Sequence, residues 1–313
     1  MKKHNRYSVS LLALLYFLCF GTHPALADES GEAAVETEEE SPWQFSGLMS
    51  QQINQVSFSH WAQGGENSFA STSLINLNAN YKKRNFSWEN RLNLAYGILK
   101  IEDTPTRKNE DRIHFLSKGG REVSPKFSTS FLAEFRTQFA KGYNYPNDSV
   151  VVSNFMAPGN LTLSIGMEYK PFEYLSIFLS PASGKFTFVL DDDINKAAFG
   201  VEQDKNVKAE FGALLNIMFN KEIFEDVLVE SKLTLFNNLV DEDKSNRKNT
   251  DVDWETSINI KINRYITASA LVHMLYDHDT LIPVDGDPGT NGKEVTRKLQ
   301  IKQLFGLGLS YRF

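Results

Sequence analysis

The stretch LFGLGLSYRF, Leu304 to Phe313, puts an apolar or aromatic side chain at every second position and finishes on phenylalanine. Period two marks a strand with two distinct faces. Terminal residues that are not tied down stay disordered, so a patterned ending predicts a strand with a partner. In lipid an unpaired strand edge costs several kcal/mol per unsatisfied backbone group. The last strand is therefore expected to pair with the first and close a barrel. Tyr311 and Phe313 resemble the terminal aromatic signal read by the barrel-assembly machinery, and are taken as closure and assembly residues.

The same alternation runs back through the chain. In NFSWENRLNLAYGIL, Phe86, Trp88, Leu92, Leu94, Tyr96 and Ile98 share one face, and Glu89, Arg91 and Asn93 share the other. KFSTSFLAEFRTQF sets Phe127, Phe131, Ala133, Phe135 and Phe139 against Ser128, Ser130, Glu134, Arg136 and Gln138. A soluble sandwich also alternates, but its strands are about 5–6 residues long, whereas a tilted membrane strand needs about 9–11. Most of these segments reach the longer figure. Aromatics at segment ends (Tyr81, Phe86, Tyr169, Tyr265, Tyr276) are placed as interfacial girdles require.

Connections are of two kinds. Tight turns fall in 81–86, 122–127, 169–174, 220–227 and 261–266; long polar loops fall in 60–68, 101–112, 141–160, 180–206, 240–253 and 277–298. Short periplasmic turns and long extracellular loops are the organisation of an outer-membrane barrel. The expected fold is an all-β, transmembrane, antiparallel up-and-down barrel of about twelve strands: 45–57, 68–82, 85–99, 111–122, 126–139, 160–170, 172–180, 206–219, 226–239, 251–262, 265–276 and 298–313. KFTFVL (185–190) is assigned to the 180–206 loop.

Residues 1–27 read as a secretory signal: a basic start (Lys2, Lys3, Arg6), an apolar run from Leu11 to Phe20, and Ala25-Leu26-Ala27 before Asp28. The run is too short for a membrane-spanning helix. Residues 28–42 form an acidic, disordered leader, and 43–313 the barrel. The only cysteine, Cys19, lies within the signal, so the exported chain is expected to lack disulfides. Net charge is −6, and loss of the three basic residues makes the exported chain more acidic, which argues against a nucleic-acid partner.

HWAQGG (60–65), TQFAKGY (137–143), SNFMAPG (153–159), SPASGK (180–185) and QIKQLFGLGLSYRF (300–313) resemble a domain-of-unknown-function family of Gram-negative outer-membrane barrels. The resemblance implies the cell outer membrane as location, membrane lipid as surroundings, and no assigned activity.

The expected lumen face is charged, with opposite signs two apart: Glu89 and Arg91, Glu134 and Arg136, Glu168 and Lys170, Lys208 and Glu210, Glu230 and Lys232. They read equally as a selective constriction in a channel for small polar or charged solutes and as a salt-bridge lattice filling a narrow lumen. Phe155, Met156, Pro158, Pro181 and Lys185 are candidate gate or plug residues in loops. Acidic turns (Asp191 to Asp193, Asp277, Asp279, Asp285, Asp287) lack calcium-loop spacing, so neither metal nor cofactor is expected. An enzyme is not expected either: G-x-S-x-G is absent, His273 is placed inward, and His114 is placed near a loop without a partner. The alternative to a channel is a non-conducting barrel that binds an envelope protein.

Overall fold

The computed structural model describes residues 41–57, 66–145, 148–284 and 294–313. The signal, nearly all of the leader, the HWAQGG stretch, Asp285 and Asp287 lie outside the described residues.

Sixteen strands are described. They are β1 (Trp43–Val56), β2 (Ser68–Lys83), β3 (Phe86–Ile101), β4 (Arg107–Ser124), β5 (Phe127–Thr137), β6 (Gly142–Tyr143), β7 (Val151–Ser153) and β8 (Gly159–Phe172). They continue as β9 (Leu175–Phe188), β10 (Val207–Phe224), β11 (Val227–Asn238), β12 (Asp251–Lys261), β13 (Ile266–Tyr276), β14 (Ile282–Val284), β15 (Glu294–Thr296) and β16 (Gln300–Arg312). Among the described residues twelve of them close a barrel in the order β1-β16-β13-β12-β11-β10-β9-β8-β5-β4-β3-β2, while β6 with β7 and β14 with β15 form short ribbons in the loops. Every neighbouring pair is antiparallel, and ladders run all round the ring, the shortest being that of β1 with β16.

Closure is made by the stretch that opened the sequence reading. Leu48 to Gln52 pair with Arg312 to Gly308. Below them the Gly47 N–H donates to the Phe313 carbonyl at 2.9 Å, and the Phe313 N–H to the Gly47 carbonyl at 3.1 Å. Gly47 leaves room for the Phe313 ring, which would have to turn aside from a Cβ placed 2.3 Å away.

The outer surface carries Phe131, Ile165, Phe211, Ile258, Phe305 and Leu307, all exposed, as a wall facing acyl chains must. Rings cluster at the rim of short turns: Trp43 with Tyr81 and Trp88, Phe127 with Tyr169, Phe172 with Tyr174, and Tyr311 with Phe313. No described helix is long and apolar enough to cross a membrane, and the crossing is made by strands.

Two expectations need correction. The 101–112 loop is short, because β4 begins at Arg107. Its first residues are polar on both faces and hide the period; Asp111 is held there by Lys108 at 2.9 Å and by the N–H of Phe139 at 2.7 Å. The second concerns 181–188, which belongs to β9 and not to a loop. Pro181 and Lys185 therefore stand in the barrel wall and do not serve as plug-loop residues. Pro181 hid the strand, since proline is tolerated within sheets only at edges and bulges, and β9 is bulged here against both neighbours. The fully buried Ser180 hydroxyl stands in for missing ladder partners: it donates to the Ile165 carbonyl at 2.8 Å and accepts from the Ala182 N–H at 3.3 Å.

Gly166 faces this bulge, and a Cβ on it would lie 2.1 Å from the Leu179 carbonyl oxygen. Backbone cannot move aside as a side chain can. Gly166→Ala should lower the stability seen in urea unfolding in micelles by about 1–3 kcal/mol. Gly119→Ala, which meets only the Phe131 ring on the lipid side, should cost less; equal midpoints would contradict the bulge's rigidity.

Candidate functional site: the charged lumen

Because side chains alternate across each strand, the charged residues in the middle of the strands converge on the lumen. Glu134 on β5 is their hub. Its Oε1 accepts from His114 Nε2 on β4 at 2.7 Å and from Arg136 Nε at 2.8 Å, and it also takes Lys232 of β11. Arg136 reaches across to Asp253 of β12, which is bonded to His273 Nε2 at 3.1 Å. Arg112 bonds Glu255 at 2.8 Å. These residues form a girdle across the middle of the barrel.

The girdle separates two cavities. The upper one, about 430 Å³, lies towards the long loops and is lined by Arg136, Lys185, Glu210, Asp253, Asp277 and Asp279, among others. The lower one, about 450 Å³, lies towards the short turns and includes Arg91, Arg112, His114, Glu230, Lys232 and Glu255. The two linings share no residue, and the bonds from Glu134 of the upper lining to His114 and Lys232 of the lower one run between them.

The i, i+2 pairs divide into two groups. Glu134 with Arg136, Glu168 with Lys170 at 3.5 Å and Lys208 with Glu210 at 3.3 Å are in contact. The closer partner can also lie on another strand of the same side: Glu89 takes Lys170 at 2.7 Å, and Lys118, absent from the sequence-derived set, takes Glu168. Glu230 accepts from Asn220 at 3.2 Å, and its sequence neighbour Lys232 goes to Glu134. Arg91 lines the lower cavity. His114 also departs from expectation: it is buried in mid-strand with Glu134 as its partner, because β4 starts earlier than its sequence pattern shows.

Lys185 shows what the loops contribute. It bonds Asp251 of β12 and Asp277 beyond β13, both at 2.6 Å, while Lys208 takes Asp279. These turn acids are partners for lumen lysines. Beside them Leu132, Phe178, Leu214 and Phe236 make a small apolar core that fills one side of the lumen.

Over the upper mouth two loops pack through Ala157, Val189, Ile194 and Val201. Phe199 and Pro158 reach the upper cavity, whereas Phe155 is exposed and neither it nor Met156 lines either of these two cavities. Asp191 ties the loops together, accepting from the Asn154 amide at 2.6 Å and from the Asp193 N–H at 3.0 Å. The Asn154 bond, followed by the Asp193 one, holds the Asp191 carboxyl below the usual aspartate range.

A closed antiparallel barrel with an apolar exterior and a charged interior has the build of an outer-membrane β-barrel. Residues 53–143 match the family described as a protein of unknown function, DUF3078, a span that takes in HWAQGG and TQFAKGY. Nothing among curated proteins matches the chain. Solved structures similar to it include the translocator domain of autotransporter NalP from Neisseria meningitidis, at 9% identity and TM-score 0.36, covering 88% of this chain and 90% of that one. The COG4313 outer membrane channel from Pseudomonas putida F1 is similar at 9% identity and TM-score 0.39, covering 91% and 100%. The NanC porin is similar at 9% identity and TM-score 0.36, covering 84% and 98%.

Two predictions follow from the geometry of the hub and the loops. Glu134→Gln leaves Arg136 and Lys232 in the interior without their shared carboxylate. It should destabilise the barrel by about 3–5 kcal/mol, read as the loss of the heat-modifiable folded band at lower temperature. For Asp191 a lowered folded-state pKa means that its contribution is present above the ordinary aspartate range and is lost as pH falls through the lowered value. Pepsin cleavage within 189–206 should therefore rise only below that range, and Asn154→Ala should move the rise to higher pH.

Proposed function

We propose that the barrel is a gated channel for small polar or charged solutes, inserted in the outer membrane after cleavage of residues 1–27. The observation that carries this reading is the pair of cavities with charged side chains in their linings at the two ends of one lumen, with ion pairs running between them. Ion pairs can open when side chains exchange partners, and a charged solute supplies a substitute partner as it passes. Glu134 would then be the pivot, with Arg136, Lys232 and Asp253 as the groups a solute meets in turn.

A second reading has its own support. The apolar core of Leu132, Phe178, Leu214 and Phe236, together with the packed loops, suits a filled, non-conducting barrel that presents its loops to another envelope protein. Single-channel recording in a planar bilayer separates the two. Stable ohmic steps favour the channel, and a folded but silent barrel favours the accessory protein.

In the channel case the lumen arginines set the sign of the permeating ion. Arg136→Gln and Arg91→Gln should each move the reversal potential in a salt gradient towards cation selectivity, with Arg136 giving the larger shift because it stands in the girdle. Unchanged selectivity in a folded variant would count against the girdle as the selective element.

A further inference from the structure

The barrel wall has one seam that is only half sewn. β1 pairs with β2 at every position from Trp43 to Val56. On its other side its ladder with β16 runs only from Leu48 to Gln52. Above Gln52 both strands continue: β1 through Ile53–Val56, and β16 through Gln300–Leu307, which remain paired to β13. Among the described residues no pairing joins them. If the register simply continued, Ile53 would face Leu307, Asn54 would face Gly306 and Gln55 would face Phe305.

The top of the ladder is occupied by a side chain. Gln52 lies against Gly306, where a Cβ would meet its carboxamide at 2.2 Å, and Gln52 Nε2 is buried without an acceptor. Just outside, Gln51 bonds Ser71 at 2.8 Å and Ser73 at 2.6 Å. This is a polar spot on a face that is otherwise apolar along β5, β8 and β10.

The two sides of the gap differ in chemistry. Outward stand Ile301, Phe305 and Leu307, at 58%, 73% and 61% exposure. On the lumen side the strand that borders the gap, β16, carries Lys302. It pairs with buried Glu110 of β4 at 2.5 Å, yet its side chain keeps 45% exposure. Lys118, Lys185, Lys232 and Arg136 in the lumen network keep 24% or less. Of these paired cations Lys302 has the most surface left to meet an anion. Both cavities reach β16, the upper at Gln300 and the lower at Leu304, so the gap runs alongside the level where the two meet.

Unpaired backbone facing hydrocarbon is costly, and it is tolerated where it lines a polar path. We propose that the upper β1–β16 seam is a lateral port for a single-chain amphiphile with an anionic head group. The head is received by Lys302 on the lumen side, and the chain lies along Phe305 and Leu307 towards the bilayer. The port goes beyond the axial channel and does not depend on it.

The test is photolabelling of the protein, purified from outer membranes and reconstituted in bilayers. The probe is a fatty acid bearing a diazirine, compared with the corresponding uncharged alcohol, and adducts are mapped by peptide mass spectrometry. The port predicts adducts at the inward positions Asn54 and Lys302, a higher yield for the acid than for the alcohol, and loss of that preference in Lys302→Gln. Adducts confined to Ile301, Phe305 and Leu307, with equal yields from acid and alcohol, would overturn it; this comparison holds in the unmodified protein even if Lys302→Gln fails to fold. Conductance recorded on the same preparation separates the two ideas. A silent barrel with seam labelling sinks only the axial channel, and a conducting barrel without it sinks only the port.

Discussion

Backbone amides placed in hydrocarbon have no water to turn to, and most of this structure answers that constraint. Closing the sheet satisfies them. Closure in turn fixes which way every side chain points, since residues alternate across each strand. The apolar half of a period-two sequence then covers the outside, and the polar half is confined inside a cylinder of twelve strands. Charges that would be scattered over the surface of a soluble sheet are forced into contact within one narrow lumen.

That confinement accounts for the girdle. A carboxylate as enclosed as Glu134, at 6% exposure, is tolerable only with cationic partners and hydrogen bonds to its oxygens. It obtains them from three strands, β4, β5 and β11. The same need draws acids in from the loops. Without Asp251 and Asp277, buried Lys185 would keep only the longer contact to Glu210 at 3.7 Å, and satisfying it fixes the start of β12 and the segment after β13 near each other. Loop placement at the upper mouth thus depends on lumen electrostatics as well as on the apolar contacts of Val189, Ile194 and Val201.

The sequence carried the barrel in its clearest signals: the alternation in 86–98 and 127–139, the five tight turns, and the aromatic ending. It failed where a local rule was overridden by position. Arg107 to Asp111 stand where the wall needs no apolar face, so strand residues there look like loop. Pro181 reads as a breaker, although the Ser180 hydroxyl removes the need for its missing N–H. The candidate site was legible by face but not by partner. Period two places Glu89, Arg91, Glu134 and Lys232 inside, whereas the pairing of Glu134 with Lys232, or of Lys185 with Asp277, depends on the stagger of strands around the ring. No single strand encodes that stagger. His114 was missed for a related reason, since its place in mid-strand depends on where β4 begins.

The two proposed routes out of the lumen differ in what must be undone. Along the axis, passage requires Glu134 to release at least one cation, and a charge left unpaired in so enclosed a place costs about 3–5 kcal/mol. Only a solute that brings its own charge or hydrogen bonds to the exchange can offset that. At the seam no ladder bond has to break above Gln52, because none joins β1 to β16 there. The groups flanking that gap are apolar outside and cationic inside, so an entering molecule must match both. A small ion gains nothing from Phe305 and Leu307, and an uncharged alkane gains nothing from Lys302. The same wall would therefore sort solutes by chemistry, with compact charged species favoured along the axis and anionic amphiphiles at the side, using one lumen whose two halves are joined only through side chains.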